Sequence, residues 1–337
     1  MKHAQGFSLV ELMIALAIGL IAVGAVSAVL ISSSSIYRVS DSRARIQENA
    51  RFAVRALEHD VRQAGFMGCF NLSMFPTRFE NLAQDKNNFE NDYQSPISGF
   101  EAGTTDWTPV LHPKVGAGKQ TPIPGNDVLV VRLPAGQSVA MSDEMPATSV
   151  PIPVASVEGF KKGMLAIISD CSYANLFVVG TMAADKKLVH ANDANTSPKL
   201  TRVFSPADGA MVTPVTTVTY FIAAAGDGVA GNRALWRQNG LAAPEEIADG
   251  VENLQIEYGI DTDAVFDGIT NQFVSADKIG AAKVTALKVS LLVRSASDNL
   301  ALSRQIFNFN GEVGKTGADK RLYTPFSTTI TLRNRVF

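Results

Sequence analysis

A chain of 337 residues can bury a sizeable core, as one large domain or two small ones. Its 30 Lys+Arg and 32 Asp+Glu leave a formal charge of -2 with no block of like charge, which argues against nucleic acid as a direct partner. The two cysteines, Cys69 and Cys171, have no Cys or His at metal-ligand spacing beside them, leaving a disulfide or two free thiols.

The first predicted element is an apolar helix. Lys2 and Glu11 are the early charges, with His3 a third candidate, and residues 12–31 carry no charge at all. Twenty helical residues cover about 30 Å, the thickness of a bilayer's hydrocarbon core. No proline precedes Pro76, so the helix reads as continuous. A secretory signal cut near Ala28, after Val26-Ser27, and a simple signal anchor both compete for this segment. Glu11 fits neither, because a carboxylate in an apolar spanning helix costs at least a few kcal/mol and implies a partner.

The run Gly6-Phe7-Ser8-Leu9-Val10-Glu11-Leu12-Met13-Ile14-Ala15-Leu16 resembles the prepilin cleavage and methylation motif of type IV pilins and pseudopilins. The resemblance implies that a membrane prepilin peptidase cuts after Gly6 and that Phe7 is then N-methylated. It also implies that Glu11, the family's glutamate, faces the N-terminal amine of a neighbouring subunit, where opposite charges in low dielectric compensate each other. One departure is that the mid-helix proline of many major pilins is absent, Gly19, Gly24 and Ala28 occupying that stretch instead.

Beyond Ser32 to Ser35, apolar residues recur by threes and fours at Ile36, Val39, Ile46, Ala50, Ala53, Val54, Leu57, Val61 and Ala64. This predicts an amphipathic extension of the same helix over 32–65, stopped at Ala64-Gly65. Arg38, Arg43, Arg45, Arg51, Arg55 and Arg62, with Asp41, Glu48, Glu58 and Asp60, are expected to form a solvated face with local ion pairs.

Residues 71–126, rich in Asn, Asp, Gln, Gly and Pro, read as a long irregular excursion with few regular elements. From Asp127 onward, period-two alternation predicts strands at 127–133, 164–169, 175–180, 215–223, 254–260, 287–294, 304–309 and 326–335. The expected fold class is α+β and pilin-like, a long N-terminal helix packed on a mostly antiparallel head. The expected organisation is a leader over 1–6, a spanning helix over 7–31, its extension over 32–65 and a periplasmic head over 66–337. Such a location favours a Cys69–Cys171 disulfide, which would pin the end of the helix to the head.

Arg51-Phe52-Ala53, Gln63 to Cys69, Ser169-Asp170-Cys171-Ser172 and Gly250 to Gly259 resemble the PilW family of large minor pilins. That resemblance implies a non-enzymatic subunit that joins other minor pilins and the major pilin, primes assembly on the inner-membrane platform and sits at the filament tip, where it can hold an adhesin. Gly250-Val251, Leu254 and Tyr258 also resemble the large pseudopilins of type II secretion, an alternative reading. A further alternative is a periplasmic binding domain released by ordinary signal cleavage.

The remaining chemistry is sparse. His3, His59, His112 and His190 are not paired at metal spacing, no catalytic motif is present, and no cofactor is expected. Gly226 to Gly231 matches a dinucleotide-binding spacing but lacks the following helix, so it reads as a hairpin turn. Gly116-Ala117-Gly118-Lys119 lacks the rest of a P-loop and reads as a plain loop. Asp261, Asp263 and Asp267 form a weak calcium candidate, with a solvated turn as the alternative.

Overall fold

A computed structural model describes residues 8–85, 88–116, 120–183, 185–190, 193–332 and 334. One helix, Leu9–Gln63, runs unbroken for 55 residues through Gly19, Gly24 and the four serines. At 1.5 Å per residue it is about 80 Å long. None of its residues is buried before Ile46. It stops where predicted: Ala64 leaves the helical conformation and Gly65 takes a φ of +69°. A side chain at Gly65 would meet Pro96 at 2.9 Å as well as adopting a disfavoured backbone, so glycine is required twice over.

The head contains two main sheets. In the larger, ten-stranded sheet, the path runs from Phe79–Asn81 through Ala174–Val178, Leu165–Ser169, Met211–Ala224, Val128–Pro134 and Ile97–Ala102 to Trp107–Thr108. Met211–Ala224 also pairs with Arg233–Asn239, which in turn pairs with Glu245–Asp249. The smaller sheet orders Gln272–Val274, Val251–Asp261, Lys283–Arg294 and Tyr323–Thr331, all antiparallel. Among the strand pairings of the described residues, Phe79–Asn81 against Ala174–Val178 is parallel and the rest are antiparallel. Met211–Ala224, reading MVTPVTTVTYFIAA, is buried along most of its length because both of its faces are covered.

The predicted strands occur with shifted ends; the last lies at Tyr323–Thr331 rather than 326–335. The turn over 225–232 joins Met211–Ala224 to Arg233–Asn239 as a hairpin, as read from its glycines. Inside the supposed excursion, Ile97–Ala102 pairs with Val128–Pro134. Its sequence, ISGFEA, has little strand propensity. The register demands it: a side chain at Gly99 would lie 2.0 Å from the Tyr258 hydroxyl, so only glycine lets this strand pass the smaller sheet.

Two large cores result. One joins Ile46, Ala50, Ala53, Leu57, Val61 and Ala64 of the helix to Leu129, Val131, Val218 and Ile222 of the larger sheet and to Leu254, Ile256, Leu287, Val289 and Ile330 of the smaller. The helix therefore lies over the joint of the sheets. The other core, around Ile152, Phe160, Phe177, Leu188 and Phe204, fills a lobe built mainly from residues 135–210 and includes no helix residue.

Candidate assembly helix and its seat on the head

Ser8 caps the helix in an extended conformation. Its Oγ accepts the Val10 N–H at 3.3 Å, and the Glu11 carboxylate accepts the Ser8 N–H at 3.0 Å. This reciprocal capping box satisfies donors that the helix cannot, and sets a negative charge at the positive end of its dipole. Gly6 and Phe7, the predicted cleavage and methylation positions, lie outside the described residues. Beyond Glu11 the helix is apolar on all sides: an 18-residue window reaches a mean hydropathy of 2.7 and none of it is buried by the chain itself. Among the described residues this is the one helix long and apolar enough to cross a membrane.

The seat begins at Ile46. Asn49 Nδ2 donates to the Asp249 carbonyl at 2.9 Å, and above it the small residues Ala50 and Ala53 let the sheets approach the helix closely. A polar lock follows. Asp60 is only 4% exposed; its Oδ2 accepts the Tyr220 hydroxyl at 2.7 Å and Arg237 Nε at 2.9 Å, while its Oδ1 lies 3.1 Å from His59 Nδ1. Burial and the adjacent Asp60 carboxylate push the Tyr220 hydroxyl far above its ordinary range, so it remains a donor. Burial works to lower Arg237, but the bond to Asp60 outweighs it and the guanidinium is held above its usual value.

This corrects the sequence reading, which put Asp60 on the solvated face. Asp60 follows Leu57 by three residues and Ala53 by seven, which turns it toward the sheets. That spacing was the available signal. Elsewhere on the exposed face local pairing does occur: Arg45 meets Asp41 at 3.0 Å and Arg62 meets Glu58.

Past the helix, the Gly65 N–H donates to the Arg132 carbonyl at 2.9 Å, and the Met67 carbonyl accepts Ser169 Oγ at 2.6 Å. Arg132 is buried, and its guanidinium donates to the carbonyls of Phe89 and Ser95 and to Ser98 Oγ, which gathers the 89–98 segment around it. The Cys69–Cys171 disulfide is present, with the Cα atoms 4.8 Å apart. Cys171 sits in the turn between Leu165–Ser169 and Ala174–Val178, where Asp170 Oδ1 accepts the Ser172 and Tyr173 N–H groups at 2.7 Å each. The bond thus ties the helix exit to the lobe, and both cysteines are exposed.

Carboxylate oxygens of Asp261, Asp263 and Asp267 come within 4.8 Å of one another. Asp261 Oδ1 accepts the Asp263 N–H at 2.9 Å, and its Oδ2 accepts Asp267 and Gly268 at 3.1 and 2.9 Å. Burial tends to raise this carboxyl, yet the three amides hold it below its ordinary value. Asp261 is thereby engaged in closing its own turn.

Asp127, read from sequence only as a strand start, joins the two sheets. Its Oδ1 accepts the Ala102 N–H at 2.9 Å and its Oδ2 the Ile256 N–H at 2.7 Å. Burial first, with nearby Glu101 adding to it, pushes the Asp127 carboxyl up to about 7 against these two donors. Nothing in the linear sequence places residues 102, 127 and 256 together.

Residues 219–334 match the family described as Type IV Pilus-assembly protein W, PilW. Residues 1–27 match the prokaryotic N-terminal methylation motif. Both agree with the resemblances read from the residues. No curated protein and no solved structure matches the chain.

Proposed function

We propose that this chain is a minor pilin that primes type IV pilus assembly with other minor pilins and takes a place at or near the filament tip. The coarser reading, a structural type IV pilus minor pilin anchored in the inner membrane, is what the two family matches and the apolar helix support. The observation that carries the proposal is a bare apolar helix with one carboxylate, Glu11, in its first turn, directly after the Gly6-Phe7 junction. An apolar surface of that length requires lipid or neighbouring helices, and a capped carboxylate at its end is suited to exchange its own amide for a neighbour's amine.

On this reading the prepilin peptidase removes residues 1–6 and Phe7 is N-methylated. The head waits in the periplasm until the helix enters a shared filament core beside other minor pilins, the major pilin and the assembly platform, and the exposed head can then support a tip adhesin. The PilW match over 219–334 favours a pilus over a type II secretion pseudopilus.

Intact mass of the mature chain tests this. A chain beginning at N-methyl-Phe7 is expected, and one beginning near Val29 would overturn the reading in favour of ordinary signal cleavage. Replacing Gly6 with a bulky residue is expected to leave the precursor uncut.

A further inference from the structure

The outward side of the helix, opposite its seat, carries a stripe that local pairing does not satisfy. Ala44, Gln47, Glu48, Arg51, Phe52 and Arg55 line a shallow groove there of about 530 Å³. Phe52 is 57% exposed at its middle. Arg51 and Arg55 are both exposed, stand one turn apart, and have no ion-pair or hydrogen-bond partner among the described residues. Like charges at this spacing destabilise a helix. Of the nearby acids, Glu58 pairs with Arg62, Asp41 with Arg45, and Asp60 faces inward to Arg237, which leaves Glu48 as the one carboxylate of the stripe against two arginines.

We propose that the Arg51–Phe52–Arg55 stripe docks a different subunit through a helix face that presents two carboxylates flanking an aliphatic residue. The inference rests on the pilin reading and names its partner chemistry. Phe52 would give the contact an apolar anchor, and the two arginines would supply bidentate recognition of carboxylates at its rim. Charge decides against a second copy. Stripe against stripe would bring four arginines together with only the two Glu48 side chains to offset them, a repulsive arrangement that disfavours the wrong partner.

The test uses the full chain in membranes of assembling cells, with a photo-crosslinking phenylalanine at Phe52 and, separately, at Ile14 in the spanning helix. The expected product at position 52 is an adduct with another pilin through a peptide bearing carboxylates three or four residues apart. Arg51→Glu with Arg55→Glu should cut its yield about tenfold, as expected for two lost ion pairs turned repulsive. Exchanging the partner's two acids for lysine should restore it. Thermal unfolding of the charge-reversed chain should be unchanged, because neither arginine touches the head. Adducts with a second copy, with lipid or with a peptide lacking acids would overturn the proposal, as would a yield indifferent to charge reversal. Loss of adducts at Phe52 while those at Ile14 persist overturns this inference and leaves the pilin reading standing; absence of pilin adducts at both positions overturns that reading as well.

Discussion

The core beneath the helix and the core of the 135–210 lobe are built on different terms. The first is shared between one helix and two sheets, and its part from Tyr220 to Leu332 lies inside the matched stretch 219–334, while its helix residues Ile46 to Ala64 and Leu129 and Val131 lie outside both matches. The second closes on itself, contains no helix residue and falls outside both matches. The strands Leu165–Ser169 and Met211–Ala224, the Ser169 bond to the Met67 carbonyl and the Cys69–Cys171 bond are among the links that carry structure from one to the other. The helix is thus held by a core that three elements must build together, whereas the lobe holds itself together without the helix.

The comparison breaks most visibly under large core truncations. Phe177→Ala in the lobe should cost about 3–5 kcal/mol and Leu57→Ala in the helix seat about 2–5, both side chains being fully buried. Hydrogen exchange should localise the first to residues 165–178 and the second to 251–261 and 283–294. Protection lost everywhere in both variants would make the head one cooperative unit and end the distinction.

Asp60→Ala should cost about 3 kcal/mol, because it strands the half-buried Arg237 and leaves the Tyr220 hydroxyl without its carboxylate. The double replacement Asp60→Leu with Arg237→Met should recover much of that loss, measured as chemical unfolding of the full chain in detergent. Reducing the disulfide should cost about 2–4 kcal/mol, its exposure letting a mild reductant reach it in the folded chain. Limited proteolysis should then find the lobe more susceptible and the helix seat unchanged.

The last effect, spread over several pH units, concerns pH. Asp127 binds its proton more tightly folded than unfolded, so its contribution is present below about pH 4 and is lost as pH rises toward 7. Glu101, raised first by burial, acts in the same direction. Melting temperature should therefore decline gently across that window, and Asp127→Asn should flatten the decline. An unchanged slope would remove Asp127 from the account of the joint.

Periodicity made the helix legible from Glu11 to Gly65, because a 3.6-residue repeat and a charge-free run are local properties. Alternation did the same for Val251–Asp261 and Lys283–Arg294. Ile97–Ala102 was hidden because its glycine answers to Tyr258, a residue 159 positions away. Asp60 was hidden in plain view: arginines around it suggested a wet surface, while its spacing from Leu57 already turned it inward. Of the candidate site, the disulfide pair was readable once an oxidising location was expected, whereas the Tyr220–Asp60–Arg237 lock depends on the larger sheet bringing two strands to one helical turn.

The helix makes its buried contacts with the head only between Ile46 and Ala64, a span of about 27 Å along its axis. If the chain enters a filament as proposed, tension would pull on that axis. Load entering through the helix must slide the whole seat at once, the mode of shear rather than of peeling, and the side chains that resist it share the force instead of yielding in turn. At the far end the Cys69–Cys171 bond hands what remains to the lobe through covalent linkage. Such a layout suits a subunit whose survival under strain is set by how slowly it unfolds as much as by how stable it is.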